Sequence, residues 1–65
     1  MIYFNGQPVE PAKNGTVAAL LRQMGREPSL TVVMVDGEFV PPALYNKFIV
    51  SVGARVTAKE LLNGG

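Results

Sequence analysis

Two dipeptides, Asn5-Gly6 and Asp36-Gly37, set the outline of this chain. A two-residue hairpin turn demands positive φ at both central positions. Asn-Gly and Asp-Gly tolerate it, so each pair predicts two antiparallel strands joined by a tight turn. Before the first turn, Ile2 and Phe4 alternate with Tyr3, which predicts a strand over residues 1–5 with its return over residues 7–12. Pro8 and Pro11 cannot donate to a ladder, so the return strand belongs at a sheet edge and the first strand is interior. Before the second turn, Thr31-Val32-Val33-Met34-Val35 is β-branched almost throughout and apolar on both faces, as expected of a central strand. Glu38-Phe39-Val40 returns, Pro41-Pro42 ends it, and Pro42 opens a short helical turn through Ala43, Leu44 and Tyr45.

Between the hairpins the period changes from two to 3.6. Val17, Leu20, Leu21 and Met24 fall at i, i+3, i+4 and i+7, which is one helical face. Ala18, Ala19, Arg22 and Gln23 cover the other faces and mostly favour helix. Thr16 is suited to the N-cap, and Gly25 to the C′ position that follows a helix. A helix of about nine residues does not stand alone in water, so it must lie against a sheet. Arg26 to Leu30 is a connector punctuated by Pro28. Phe48-Ile49-Val50 is briefly extended, Gly53 is a turn, and Arg55 to Lys59 is a last strand.

The sum is an α+β unit, a mixed sheet of about four to five strands packed on one α-helix, with a short 3-10 turn. Residues 1–59 make the domain and residues 60–65 a tail ending in Gly-Gly. By the period of two, Ile2, Phe4, Val33 and Val35 share the face under the helix. Tyr3, Val32 and Met34 then point to the other face, which no second helix covers. That face is either a docking surface or a set of ordinary surface hydrophobes.

Charge and composition exclude several function classes. Six basic residues against five acidic ones leave a net charge of +1, and the cations are scattered, unlike the basic stripe of a nucleic-acid binder. With no cysteine and no histidine, disulfides, thiolate-zinc sites and His-based triads are impossible. A small domain without disulfides is expected in the cytoplasm. No apolar run approaches the ~20 residues of a bilayer span, and no signal-peptide pattern is present, so no membrane partner is expected.

The tail is Glu60-Leu61-Leu62-Asn63-Gly64-Gly65. Glycine has the most backbone entropy to lose on ordering, so such an end stays mobile unless a partner holds it. Extended, it reaches roughly 20 Å and presents a carboxylate with nothing bulky beside it, a shape suited to a narrow enzyme channel. The competing reading is a frayed end without function. Leu61 and Leu62 either anchor the tail root on a partner or fold back on the domain.

Taken together, these stretches resemble the ubiquitin-like β-grasp sulfur carriers of the ThiS and MoaD type. The resemblance rests on Ile2-Tyr3-Phe4-Asn5-Gly6, Gly15-Thr16-Val17 with Leu20-Leu21, Val35-Asp36-Gly37-Glu38-Phe39-Val40-Pro41, Arg55-Val56 and the terminal Gly64-Gly65. The turn Ser51-Val52-Gly53-Ala54, the strand residues Thr57-Ala58-Lys59 and the tail residues Glu60 to Asn63 depart from the family's pattern. The resemblance implies a β-grasp fold and a carrier rather than an enzyme. The resemblance further implies that Gly65 is adenylated and then converted to a thiocarboxylate that donates sulfur for the thiazole of thiamine. Gly64 and Asn63 give access to the channel. On the carrier reading, Leu61 and Leu62 are expected to anchor the tail root on the partner, and Tyr3, Val32 and Met34 to form the body contact. By the same resemblance, no bound cofactor or metal is expected, and ATP and Mg²⁺ are expected to be used by a ThiF-like adenylating enzyme. A ThiG-like thiazole synthase or another acceptor is expected to take the sulfur, and the free carrier is expected to be a monomer. The alternatives are a MoaD-like carrier for molybdopterin, tungstopterin or cysteine synthesis, and a ubiquitin-like protein modifier.

Overall fold

The computed structural model of the chain describes residues 1–61. Asn5 and Gly6 both take positive φ, 50° and 86°, and so close a two-residue hairpin between β1 (Ile2–Phe4) and β2 (Gln7–Val9). Asp36 and Gly37 repeat the geometry at 51° and 85°, joining β3 (Thr31–Val35) to β4 (Glu38–Val40). β2 is shorter than the 7–12 expected: Val9 pairs with Ile2, the first residue of β1, so the ladder has no strand residue to pair with beyond it, and the chain turns inward to bury Ala12.

The helix α1 spans Val17–Gln23, seven residues where about nine are expected. All four of its first N–H groups have partners. The Thr16 hydroxyl accepts from Ala19 at 3.1 Å. Val17 and Ala18 donate to the carbonyls of Phe48 and Tyr45, at 3.0 and 2.9 Å, and Leu20 to that of Thr16 at 3.0 Å. The far end is a Schellman closure: Gly25 at φ 75° follows the C-cap Met24, Gly25 N–H reaches Arg22 O, and Arg26 N–H reaches Leu21 O. Val17, Leu20 and Leu21 are buried as expected, but Met24 is only half-buried. Ala18, expected on an outer face, is buried too, because the segment carrying Tyr45 and Phe48 is hydrogen-bonded across that flank.

A 3-10 turn, Pro28–Leu30, lies within the expected connector and leads into β3, and a second, Pro42–Leu44, follows β4. The extended stretch expected at Phe48–Val50 forms no sheet strand; Ile49 makes a single bridge with Thr16 at the start of α1. β5 runs Arg55–Glu60, one residue beyond the expected end. The sheet order is β2-β1-β5-β3-β4, with β1 and β5 parallel and every other pair antiparallel. The middle position belongs to β5, not to β3, which lies one strand in from the edge. Ile2, Phe4, Val33, Val35, Val56 and Ala58 face α1 and are buried with its apolar stripe.

Candidate functional site: an open sheet face and a fastened tail root

The tail root sits at the end of the central strand. Glu60 pairs with Thr31, and Leu61 N–H donates to the Leu30 carbonyl at 2.6 Å, so the strand pattern continues one residue past β5. Glu60, expected in the tail, is therefore part of the sheet. The Leu61 side chain is 57% exposed and is not folded into the core. Leu62, Asn63, Gly64 and Gly65 lie outside the described residues.

Two turn side chains fasten β5, one at each end. At its start, Asp36 Oδ1 accepts from Arg55 N–H at 2.9 Å, while Asp36 N–H donates to Arg55 O at 2.8 Å. Near its end, Asn5 works across fifty-three positions of sequence. Its Nδ2 donates to Ala58 O at 3.1 Å, and its Oδ1 accepts from Ala58 N–H at 2.8 Å. These residues read from the sequence only as turn formers. The free side-chain amide of an Asn-Gly pair is the available signal, but its target lies too far along the chain to be read locally.

The outer face holds the expected Tyr3, Val32 and Met34, and the structure divides them. Met34 and Val32 are alternate residues of β3, both half-buried. Tyr3, 41% exposed, stands on β1, two strands or roughly 10 Å away. Between them β5 directs Arg55, Thr57 and Lys59 outward, paired with Tyr3, Met34 and Val32 in register. Phe39 lies directly opposite Met34 and is 59% exposed, the largest apolar side chain of this face beside Tyr3. Its place was open to inference, because a two-residue turn at 36–37 pairs residue 34 with residue 39. The outward strand positions thus carry two cations and no carboxylate, flanked by apolar groups on both sides.

Tyr45 anchors the tail root from below. Its hydroxyl, buried, donates to Thr31 O at 2.6 Å, on the residue that pairs with Glu60. Burial raises its pKa above the ordinary 10.0, and the Val33 backbone partly offsets this. Thr31, itself buried, donates from its own hydroxyl to Glu27 O at 2.7 Å. Among the described residues, no three carboxylates, cysteines or histidines gather as a metal site, and no helix is long and apolar enough to cross a membrane.

Residues 2–57 match the family model described as the ThiS family. A search of curated proteins finds no match. Among solved structures, the chain is similar to the crystal structure of a thiamine biosynthesis protein (ThiS) from Geobacter metallireducens. The two share 21% identity and a TM-score of 0.77 over 98% of this chain and 97% of that one. That likeness establishes the fold, the ubiquitin-like β-grasp.

Proposed function

The chain belongs to the ThiS family of β-grasp sulfur carriers, and from that premise we propose that it carries sulfur as a thiocarboxylate on Gly65 for thiazole assembly in thiamine synthesis. The observation that supports this most is the match over residues 2–57, joined to a central strand that delivers the chain directly to Leu61 and the Gly-Gly beyond. A C-terminal carboxylate has a pKa near 3.3–3.7 and is anionic at neutral pH. Its oxygen attacks the α-phosphorus of ATP on a ThiF-like adenylating enzyme, and pyrophosphate leaves. A sulfur nucleophile then attacks the acyl carbon, and AMP leaves with the oxygen. The enzyme supplies Mg²⁺ and the cationic groups that stabilise phosphoryl charge, so this chain is a substrate and carrier, not a catalyst.

Gly64 and Asn63 keep the approach narrow, and two glycines let bare backbone occupy the channel. Ordering the tail in that channel costs roughly 1–2 kcal/mol per residue, so the body must dock as well. Leu61 and Leu62 at the root, with Tyr3, Val32 and Met34 on the open face, provide that contact. A ThiG-like thiazole synthase accepts the sulfur. Removing Gly64 and Gly65 leaves residues 1–61 folded and abolishes ATP–pyrophosphate exchange on the activating enzyme. Unchanged exchange by the shortened chain refutes the proposal.

A further inference from the structure

We propose that Asn5 is a positioning residue for the tail: its carboxamide stands in for a missing strand and fixes where the chain leaves the sheet. The assignment rests on the carrier reading for its function, but its geometry is independent of it. β1 is parallel to β5 and ends at Phe4, opposite Val56. Asn5 N–H makes the last backbone bond of that ladder, to Val56 O at 2.8 Å. Gly6 then turns the chain away, while β5 continues to Glu60. From there on, the β1-facing edge of β5 has no backbone partner among the described residues. The N–H and C=O of Ala58 point to that edge, and the Asn5 side chain satisfies both. A carboxamide presents one donor side and one acceptor side in a plane, as a peptide unit does.

The identity of residue 5 is set twice over. Its φ of 50° admits glycine, asparagine and aspartate at low cost. The pair of hydrogen bonds to Ala58 needs a donor and an acceptor on a short arm, which among these three only asparagine has. The corresponding position of the other hairpin makes the contrast. Asp36, at φ 51°, meets only an N–H donor with its side chain, that of Arg55, and aspartate suffices. Asn5 thereby holds the second edge of β5 to within two residues of its end, while β3 holds the first. Without it, the end of β5 hangs from β3 alone and the root of the tail samples more directions. A partner that accepts one direction then binds with an apparent affinity reduced by the fraction of time that direction is occupied.

The test compares the full chain with Asn5→Gly and Asn5→Asp. Both tolerate the positive φ of the turn; the first removes the latch, and the second keeps only the acceptor. Ile2→Val, a core change at the far end of β1, serves as a control for general destabilisation. Amide hydrogen exchange in the free protein should quicken about tenfold or more at Ala58 in Asn5→Gly, relative to any change at Val33, with Asn5→Asp between. Adenylation by the ThiF-type enzyme of the same host should show KM raised several-fold at unchanged kcat in Asn5→Gly, and neither changed in Ile2→Val. Exchange at Ala58 that follows the core amides overturns the latch. An unchanged KM, or an equal rise in Ile2→Val, overturns the positioning role. A wild-type chain that is not adenylated at all overturns the carrier reading itself, and the exchange data still decide the geometry.

Discussion

Tyr45→Phe isolates one oxygen atom at the base of the tail root. The ring stays and the core volume is preserved, so no cavity is opened. What is lost is the 2.6 Å bond from the phenol to Thr31 O, a buried carbonyl on the residue that pairs with Glu60. An unsatisfied buried acceptor costs about 1–3 kcal/mol. A domain of 65 residues has roughly 3–10 kcal/mol in total, so the loss is a large fraction. At about 4–8 °C per kcal/mol for a domain of this size, the thermal midpoint should drop by at least about 4 °C. The pH dependence supplies a second, independent readout. Burial raises the folded-state pKa of Tyr45 above its unfolded value near 10. The folded state therefore holds this proton more tightly. The associated stability is complete below about pH 10 and is lost as pH rises through the folded pKa. Thermal scans from neutral to alkaline pH should show a steeper decline in wild type than in Tyr45→Phe. An unchanged midpoint at neutral pH, with the same alkaline slope in both proteins, would refute the reasoning.

Two further outcomes are expected. Tyr3→Ala and Met34→Ala on the open face should each raise the KM for adenylation by about 5- to 30-fold, the range of a docking anchor, while circular dichroism shows the fold retained; KM values equal to wild type in both would remove this face from the interface. Gly37→Ala should lower the urea midpoint at unchanged m by the cost of a left-handed non-glycine residue, about 1–2 kcal/mol, because φ is 85° and an added Cβ meets no atom within 4 Å; an unaltered midpoint would show that the turn relaxes freely.

Much of this fold is legible because its signals are local. Asn5-Gly6 and Asp36-Gly37 specify their turns through their own backbone preferences, and the hairpin registers follow by counting outward. Val17, Leu20 and Leu21 specify the buried face of α1 by spacing alone. What the sequence does not disclose depends on residues far apart meeting in space. The apolar character of Thr31–Val35 suggests the middle of the sheet, yet Arg55–Glu60, with Arg55, Thr57, Lys59 and Glu60 among its six residues, takes that place. A middle strand whose outer face stays in solvent needs apolar residues only on its inner side, and Val56 and Ala58 meet that need. Ala18 reads as a surface helix former until the carbonyls of Tyr45 and Phe48 are seen against the start of α1. Thr31 reads as an ordinary strand residue, but its burial depends on Glu27 and Tyr45. At the candidate site, the period of two places Tyr3, Val32 and Met34 on one face, as the structure does, while the cationic ridge of β5 that separates Tyr3 from the other two depends on the strand order.

The central claim is that Gly65 bears sulfur, and the mass of the C-terminal peptide tests it most directly. Protein isolated from its native host under conditions that spare thiocarboxylates, cleaved and weighed intact, should yield a peptide ending at Gly65 in which one oxygen is replaced by sulfur. A peptide found only as the unmodified acid during active thiamine synthesis, or joined through Gly65 to a lysine side chain, would contradict the account.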